Sequence, residues 1–250
     1  MPIDPWFPLA IYYADLEDAA EQKESLVSTI VYLEEKAKER RVGKKIAWTG
    51  DLHGVGQIQY DPRFAWVTEQ IEAHSFLYLK ALGFDLNKLD LYIQRAWPVI
   101  SRPEQSISAH AHHTSHISAV YYVSVPQNDT PESGCFTIHN STNMNEFAPG
   151  IGGEHTDAIE KWNPFNYKSA YYPPKEGRIL IFPSKQMHGV GANKTEETRI
   201  SLSFDLIVTA IDTGDPSLHE FLSPPPKMWK KLERKPSDEK ASSKLDPSLK

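Results

Sequence analysis

The chain has 250 residues, enough for one sizeable core. Its 40% hydrophobic and 24% charged residues are those of a globular protein, and a net charge of −6 argues against nucleic acid as a partner, since proteins that grip phosphates carry a basic surplus. With one cysteine, no basic leader before the apolar part of MPIDPWFPLAIYYADLEDA, and no apolar run near the ~20 residues of a membrane span, a soluble cytoplasmic protein without disulfides is expected.

The first ninety residues read mainly as helix. Asp15 is a candidate cap, Leu26, Ile30, Leu33 and Ala37 recur at helical spacing, and Gly43 follows as a stop. A second helix is announced by Asp61 and Pro62, a cap followed by proline in the first turn. Phe64, Val67, Ile71, Tyr78 and Leu82 mark its inner face, and Gly83 ends it.

From Leu89 the period becomes two. LDLYIQRAWPVI, HISAVYYVSV, GCFTIH, GRILIFP and TRISLSFDLIV are rich in β-branched and aromatic residues and are separated by turn signals such as PQNDTPESG and GANKTEE. Short strands with irregular connections suggest a barrel or sandwich. The stretch 140–175 is rich in Gly, Asn, Pro and Tyr and reads as a long functional loop, whose Trp162, Phe165, Tyr167, Tyr171 and Tyr172 suit either a substrate wall or packing against the barrel. After 223 the chain turns polar; 227–250 carry +4 against −10 for the remainder, and a disordered tail is expected. The predicted organisation is one domain over 1–223, with 1–88 as a helical brace and 89–210 as the β core, followed by the tail 224–250.

Chemistry concentrates in the histidines. In SISAHAHHTSHISAVYY, His110 and His112 are two apart, so on an extended strand their rings share a face about 7 Å apart at the backbone and can converge on one metal ion. Alone, such a pair is more often structural. His188 follows the buried run RILIFPSKQM and lies 76 residues beyond His112, which leaves room for intervening strands to return the chain to the site. Eleven residues further comes Arg199, with Ser201 two residues on. A guanidinium fork and a nearby hydroxyl make a carboxylate anchor, predicted here on a strand antiparallel to the His188 segment with the same inward face. The rival for the proximal ligands is His155-Thr156-Asp157, only 31 residues before His188. Tyr121 and Tyr122 alternate faces, one for the core and one for the site. His116, His139, Trp162 and Tyr167 are candidates to line a substrate pocket; His53, His74 and His219 are read as structural, and Cys135 as a small core residue.

The run PKEGRILIFPSKQMHGVGANKTEETRISLSFDL resembles the closing half of the 2-oxoglutarate/iron(II) oxygenase fold, where a distal His is followed about a dozen residues later by Arg-x-Ser. RAWPVI…HAHHTSHISAVYYVSVP, preceded by AWTG and a helix, is similar to the branch with an H-x-H…SGVYYV-type segment. The resemblance implies an α+β protein with a double-stranded β-helix (jelly-roll) core. It implies Fe(II) on His110, His112 and His188, 2-oxoglutarate on Arg199, Ser201 and Tyr122, and O2 as oxidant. The implied reaction hydroxylates a C–H bond of a small-molecule or amino-acid-like substrate, while 2-oxoglutarate becomes succinate. Two departures stand out: Ala119 occupies a usual glycine position, and His112 stands where the wider superfamily has Asp or Glu. The alternatives are a cupin-type metalloenzyme that does not use 2-oxoglutarate, and a non-catalytic ligand-binding jelly roll.

Overall fold

Helical spacing before residue 89 and a period of two after it build two different kinds of layer. The computed structural model describes residues 4, 6–38, 43–127, 133–140, 145 and 158–231. In chain order these form β1 (Tyr12–Asp15), α1 (Ala19–Lys36), β2 (Trp48–Thr49), α2 (Ala65–Ala81), β3 (Leu89–Ser101), β4 (Ile107–His110) and β5 (Ile117–Ser124). They continue with β6 (Phe136–His139), β7 (Ser169–Tyr172), β8 (Arg178–Pro183), β9 (His188–Val190) and β10 (Arg199–Ala210). The strands make two antiparallel sheets, one in the order β1-β8-β5-β10-β3-β2 and one in the order β4-β9-β6-β7. This is an α+β jelly roll, a double-stranded β-helix braced by helices.

Both faces of the larger sheet are buried, and strand alternation sorts its residues between them. Tyr121, Ile179, Ile181, Ile200, Leu202 and Phe204 join one cluster with Leu26 and Ile30 of α1 and Val67, Ile71 and Tyr78 of α2. Tyr122, Leu180 and Phe182 belong to a second cluster with Phe136 and Ile138 of the smaller sheet. Burying each of the larger apolar side chains stabilises the fold by about 1.5–3 kcal/mol, which fixes the large sheet between helices and jelly-roll interior.

The helix starts and stops follow local chemistry, with three corrections. Asp61 does cap: its carboxylate accepts from the Arg63 N–H at 3.0 Å over a short Pro62–Phe64 turn that runs into α2. Gly83 does end that helix, in the left-handed region at φ 87° that suits a residue without Cβ. Asp15, by contrast, is not a cap. It ends β1, a strand read as part of the helical region, and its carboxylate takes Arg178 Nε at 2.6 Å and Lys175 Nζ at 2.7 Å. α1 begins at Ala19 and ends at Lys36, so Gly43 is not its stop. Leu82, placed on the inner face, is 42% exposed because it lies beyond the last helical turn.

The stretch 140–175 also contains a strand, β7, which pairs with β6. The tail expected to be disordered enters the described residues only to 231, where a Pro226–Met228 turn is closed by Trp229 Nε1 donating to the Pro224 carbonyl at 2.8 Å. Residues 232–250 lie outside the described residues. No helix among the described residues is long and apolar enough to cross a membrane.

Candidate metal centre

Arg199, Ser201, Ser203 and Asp205 alternate along β10 with Ile200, Leu202 and Phe204. The apolar set faces the helices; the polar set lines a cavity between the sheets, save that Asp205 sits just behind the lining. That cavity has a volume of about 450 Å³, and His110, His112, His188, Arg199, Ser201 and Tyr122 all line it.

The smaller sheet supplies two of the histidines, and the third follows β4. β4 and β9 pair so that His110 stands directly opposite His188, with ring centroids 4.4 Å apart. His110 is the last residue of β4, so the strand expected to carry both proximal histidines stops before His112. His112 is held instead by its own contacts: its N–H donates to the Ser184 carbonyl at 2.9 Å, and its ring Nδ1 lies 2.6 Å from Asp205 Oδ1 on the facing sheet. One potential ligand nitrogen from each of the three rings lies within 4.8 Å of the others.

The hydrogen bonds fix the tautomers. His110 Nδ1 bonds the Ser108 carbonyl and His188 Nδ1 the Gln186 carbonyl, both at 2.8 Å. A carbonyl only accepts, so each Nδ1 carries the proton and each Nε2 keeps a free lone pair. The Asp205 carboxylate imposes the same tautomer on His112. His110 Nε2 and His112 Nε2 then face each other at 3.0 Å with no proton between them. Two lone pairs at that distance repel unless a cation lies beside both. The separation also suits a cation, since two adjacent ligands at about 2.1 Å in an octahedral shell stand about 3.0 Å apart. Burial lowers His188 to about 4 and lowers His110 as well, so these rings stay neutral and available to a metal at neutral pH. Phe136 and Phe182 pack on His188, with centroids at 5.4 and 4.8 Å, and seal its outer side.

Arg199 forms the opposite end of the site. It is 3% exposed, and burial pushes its guanidinium below the ordinary value. Its Nη1 donates to the Gly134 carbonyl at 2.6 Å, its Nε has no hydrogen-bond partner, and among the described residues no carboxylate pairs with it. A buried, unneutralised cation facing a cavity is a poor structural element and a ready anion anchor. Ser201 and Tyr122 stand opposite each other on β10 and β5, and burial raises the Tyr122 hydroxyl to about 12, keeping it a neutral donor. Arg199 and His188 do not sit on adjacent antiparallel strands as expected; β9 and β10 lie in different sheets, and both side chains line the cavity between them.

Gly134 fits this corner because it has no Cβ. It adopts φ 63°, and a Cβ there would lie 3.0 Å from Arg199 Nη1. Gly134→Ala is therefore expected to strain the turn by about 1–2 kcal/mol and to displace the guanidinium. If Arg199 anchors the oxo-acid that the sequence resemblance implies, titration of the variant should show weakened 2-oxoglutarate binding with metal binding retained; equal loss of both would mean a general collapse of the site.

Four residues expected to line the pocket, His116, His139, Trp162 and Tyr167, are not among the described residues that wall this cavity. His116 is exposed just before β5, and its Nδ1 accepts the Val208 N–H of β10 at 3.1 Å. His139 bonds Ser169 Oγ at 3.2 Å. Trp162 and Tyr167 stack on each other, and each is 44% exposed. His155 and Asp157, the rival pair, lie outside the described residues. Sequence reasoning missed Asp205, Arg95 and Trp97. A signal existed for Asp205, a charge two steps beyond Ser201 and Ser203 on the same face of a strand otherwise apolar.

Residues 95–205 match the family described as "Putative 2OG-Fe(II) oxygenase". Over this stretch, somewhat under half of its length, the chain is similar to that family. The family's cofactors are Fe(II), 2-oxoglutarate and O2. No curated protein sequence matches the chain. Among solved structures, it is similar to the non-heme α-ketoglutarate-dependent epimerase SnoN from nogalamycin biosynthesis, with TM-score 0.55, 15% identity and coverage of 91% of this chain and 89% of that one. It is similar also to the carbocyclase SnoK from nogalamycin biosynthesis, with TM-score 0.54, 16% identity and coverage of 91% and 90%. HygX from Streptomyces hygroscopicus, with nickel, 2-oxoglutarate and hygromycin B bound, gives TM-score 0.51, 14% identity and coverage of 79% and 82%. At these identities the likeness shows the fold.

Proposed function

We propose that the oxygenase domain spans 1–223 and hydroxylates a C–H bond of a small-molecule or amino-acid-like substrate. His110, His112 and His188 would hold Fe(II), and Arg199, Ser201 and Tyr122 would hold the far carboxylate of 2-oxoglutarate. The observation that carries this reading is the pairing of three unprotonated Nε2 atoms turned to one point with a buried guanidinium that has no carboxylate partner. The first set fits a divalent cation and the second fits an anion, and a chelating oxo-acid is both ligand and anion at once.

Fe(II) with 2-oxoglutarate and O2 supplies the oxidising equivalents, 2-oxoglutarate leaving as succinate and CO2. The chain's own residues bind and orient. Ser108 and Gln186 carbonyls and the Asp205 carboxylate keep the three Nε2 lone pairs free. Arg199 fixes one end of the cosubstrate by charge, and Ser201 and Tyr122 add hydroxyl donors. Phe136 and Phe182 exclude water from the His188 side, which strengthens these electrostatic contacts. Ile46, Leu52 and Trp97 line the cavity and offer an apolar wall to a substrate. The volume of the cavity suits a small molecule or one side chain better than a folded partner.

The direct test is uncoupled turnover. Purified protein with Fe(II), ascorbate and 2-oxoglutarate is expected to form succinate slowly, and a metabolite screen should find compounds that accelerate it. No succinate above a metal-free control would sink the proposal.

A further inference from the structure

The histidine at position 112 leaves a question of charge. Three imidazoles are neutral, so they would leave a bound Fe(II) with its full double charge, whereas a carboxylate in that position would reduce it by one. A carboxylate is nevertheless close by. Asp205 is 0% exposed, and its Oδ1 sits 2.6 Å from His112 Nδ1, a short charge-assisted contact.

We propose that Asp205 is the positioning residue of the metal centre: it sets the His112 ring and passes negative charge to the metal through it, in place of a directly bound carboxylate. The inference rests on the metal assignment above. Asp205 is itself held at every lone pair that faces protein. Ser118 Oγ donates to Oδ1 at 2.8 Å, and Arg95 donates to Oδ2 through Nε at 3.2 Å and through Nη2. Ser118 Oγ also lies 2.9 Å from Ser184 Oγ, and Ser184 gives its carbonyl to the His112 N–H. The backbone and the ring of His112 are therefore fixed by one connected network. Register explains how it assembles: Asp205 of β10 stands between Arg95 of β3 and Ser118 of β5 in the same sheet.

An ion pair with Arg95 alone does not account for the arrangement. The Arg95 side chain is 40% exposed and stacks over Trp97 at 4.9 Å, so it only partly offsets the cost of burying the carboxylate, and it engages Oδ2 while Oδ1 turns to the histidine. Among the described residues the other two rings have no carboxylate partner. His110 and His188 bond neutral carbonyls two residues back in their own chain, so their orientation is local. Among the described residues, His112 is the ring of the three that is tied to a charge, from across the sheets. A carboxylate so placed fixes the imidazole tautomer and raises the basicity of the opposite nitrogen.

Asp205→Asn keeps the shape and an oxygen to accept the Nδ1 proton while removing the charge. In the full-length protein, anaerobic Fe(II) titration against a chromophoric chelator is expected to show affinity about 10- to 100-fold weaker. The visible charge-transfer band of the Fe(II)–2-oxoglutarate complex should move to higher energy, because an electron is harder to remove from a more positive centre. Unchanged affinity with an unmoved band would overturn the proposal and leave Asp205 as Arg95's ion-pair partner. If the variant fails to fold, wild-type protein loaded with Zn(II) and isotope-labelled histidine decides by NMR. The His112 Nδ1 proton should be the most deshielded of the three ligand protons, and equal shifts overturn the idea. His112→Ala separates the two readings. If it holds Fe(II) as tightly as wild type, His112 is no ligand and the metal assignment fails; if it loses iron while Asp205→Asn keeps it, the role of Asp205 alone fails.

Discussion

His188→Ala is expected to leave a folded protein that no longer holds Fe(II). His188 is the most buried of the three rings, at 4% exposure, and it stands directly opposite His110 in the β4–β9 pair. Removing it takes one lone pair from three and opens the Phe136–Phe182 side of the site to water. Loss of a hydrogen-bond partner behind a ligand typically weakens metal binding about 10- to 100-fold, so loss of a ligand itself should exceed about 100-fold. Succinate formation should vanish with the metal. The fold should suffer less, about 1–3 kcal/mol for the void left between two phenylalanines. His188→Gln, which fills most of that void, should recover stability without recovering iron. An alanine variant that binds Fe(II) like the wild type would remove the basis for the whole site.

Arg199→Met is expected to move stability and function in opposite directions. Burial lowers the pKa of this cation, which means that the folded state disfavours its charged form and the unfolded state does not. Taking an unpaired charge out of the interior should recover several kcal/mol, against about 1–3 kcal/mol for leaving the Gly134 carbonyl without its donor. The first effect is larger, so the ligand-free variant should melt a few degrees higher, at about 2–4 °C per kcal/mol for a chain of this size. Function should fall. A buried charge pair loses about 2–5 kcal/mol when one partner is truncated, so KM for 2-oxoglutarate should rise by a factor on the order of 100 or more. Adding 2-oxoglutarate to the metal-loaded protein at a hundredfold excess over Kd should stabilise the wild type by about 2.7 kcal/mol and raise its melting temperature, and should leave the metal-loaded variant nearly unmoved. Full activity in the variant would favour a metalloenzyme that needs no oxo-acid.

The elements that could be read locally were those whose evidence is local. Leu26 with Ile30, and Val67 with Ile71 and Tyr78, show helical spacing in the chain itself, and all are buried against the sheet. The five apolar runs after Leu89 became β3, β5, β6, β8 and β10 because alternation and β-branching are properties of neighbours in sequence. The short strands β1 and β7 escaped notice: four residues carry little periodicity, and pairing to β8 and β6 is what makes them strands. Asp15 was misread for a related reason. A carboxylate before a helical run looks like a cap, while its actual partners, Arg178 and Lys175, lie more than 150 residues away.

The sequence by itself determined the chemistry available: an H-x-H pair, a distal histidine, an Arg-x-Ser spaced behind it, and strands enough to enclose them. Only the tertiary structure decided how these meet. It set His110 opposite His188 in one sheet, brought Arg199 from the other, and pointed Asp205 at the back of His112. Among the described residues it lined the cavity without His116, His139, Trp162 or Tyr167. The physical reason is that spacing along a strand fixes which face a side chain takes, whereas its partner depends on how two sheets close over each other, and that is settled by packing across the whole core.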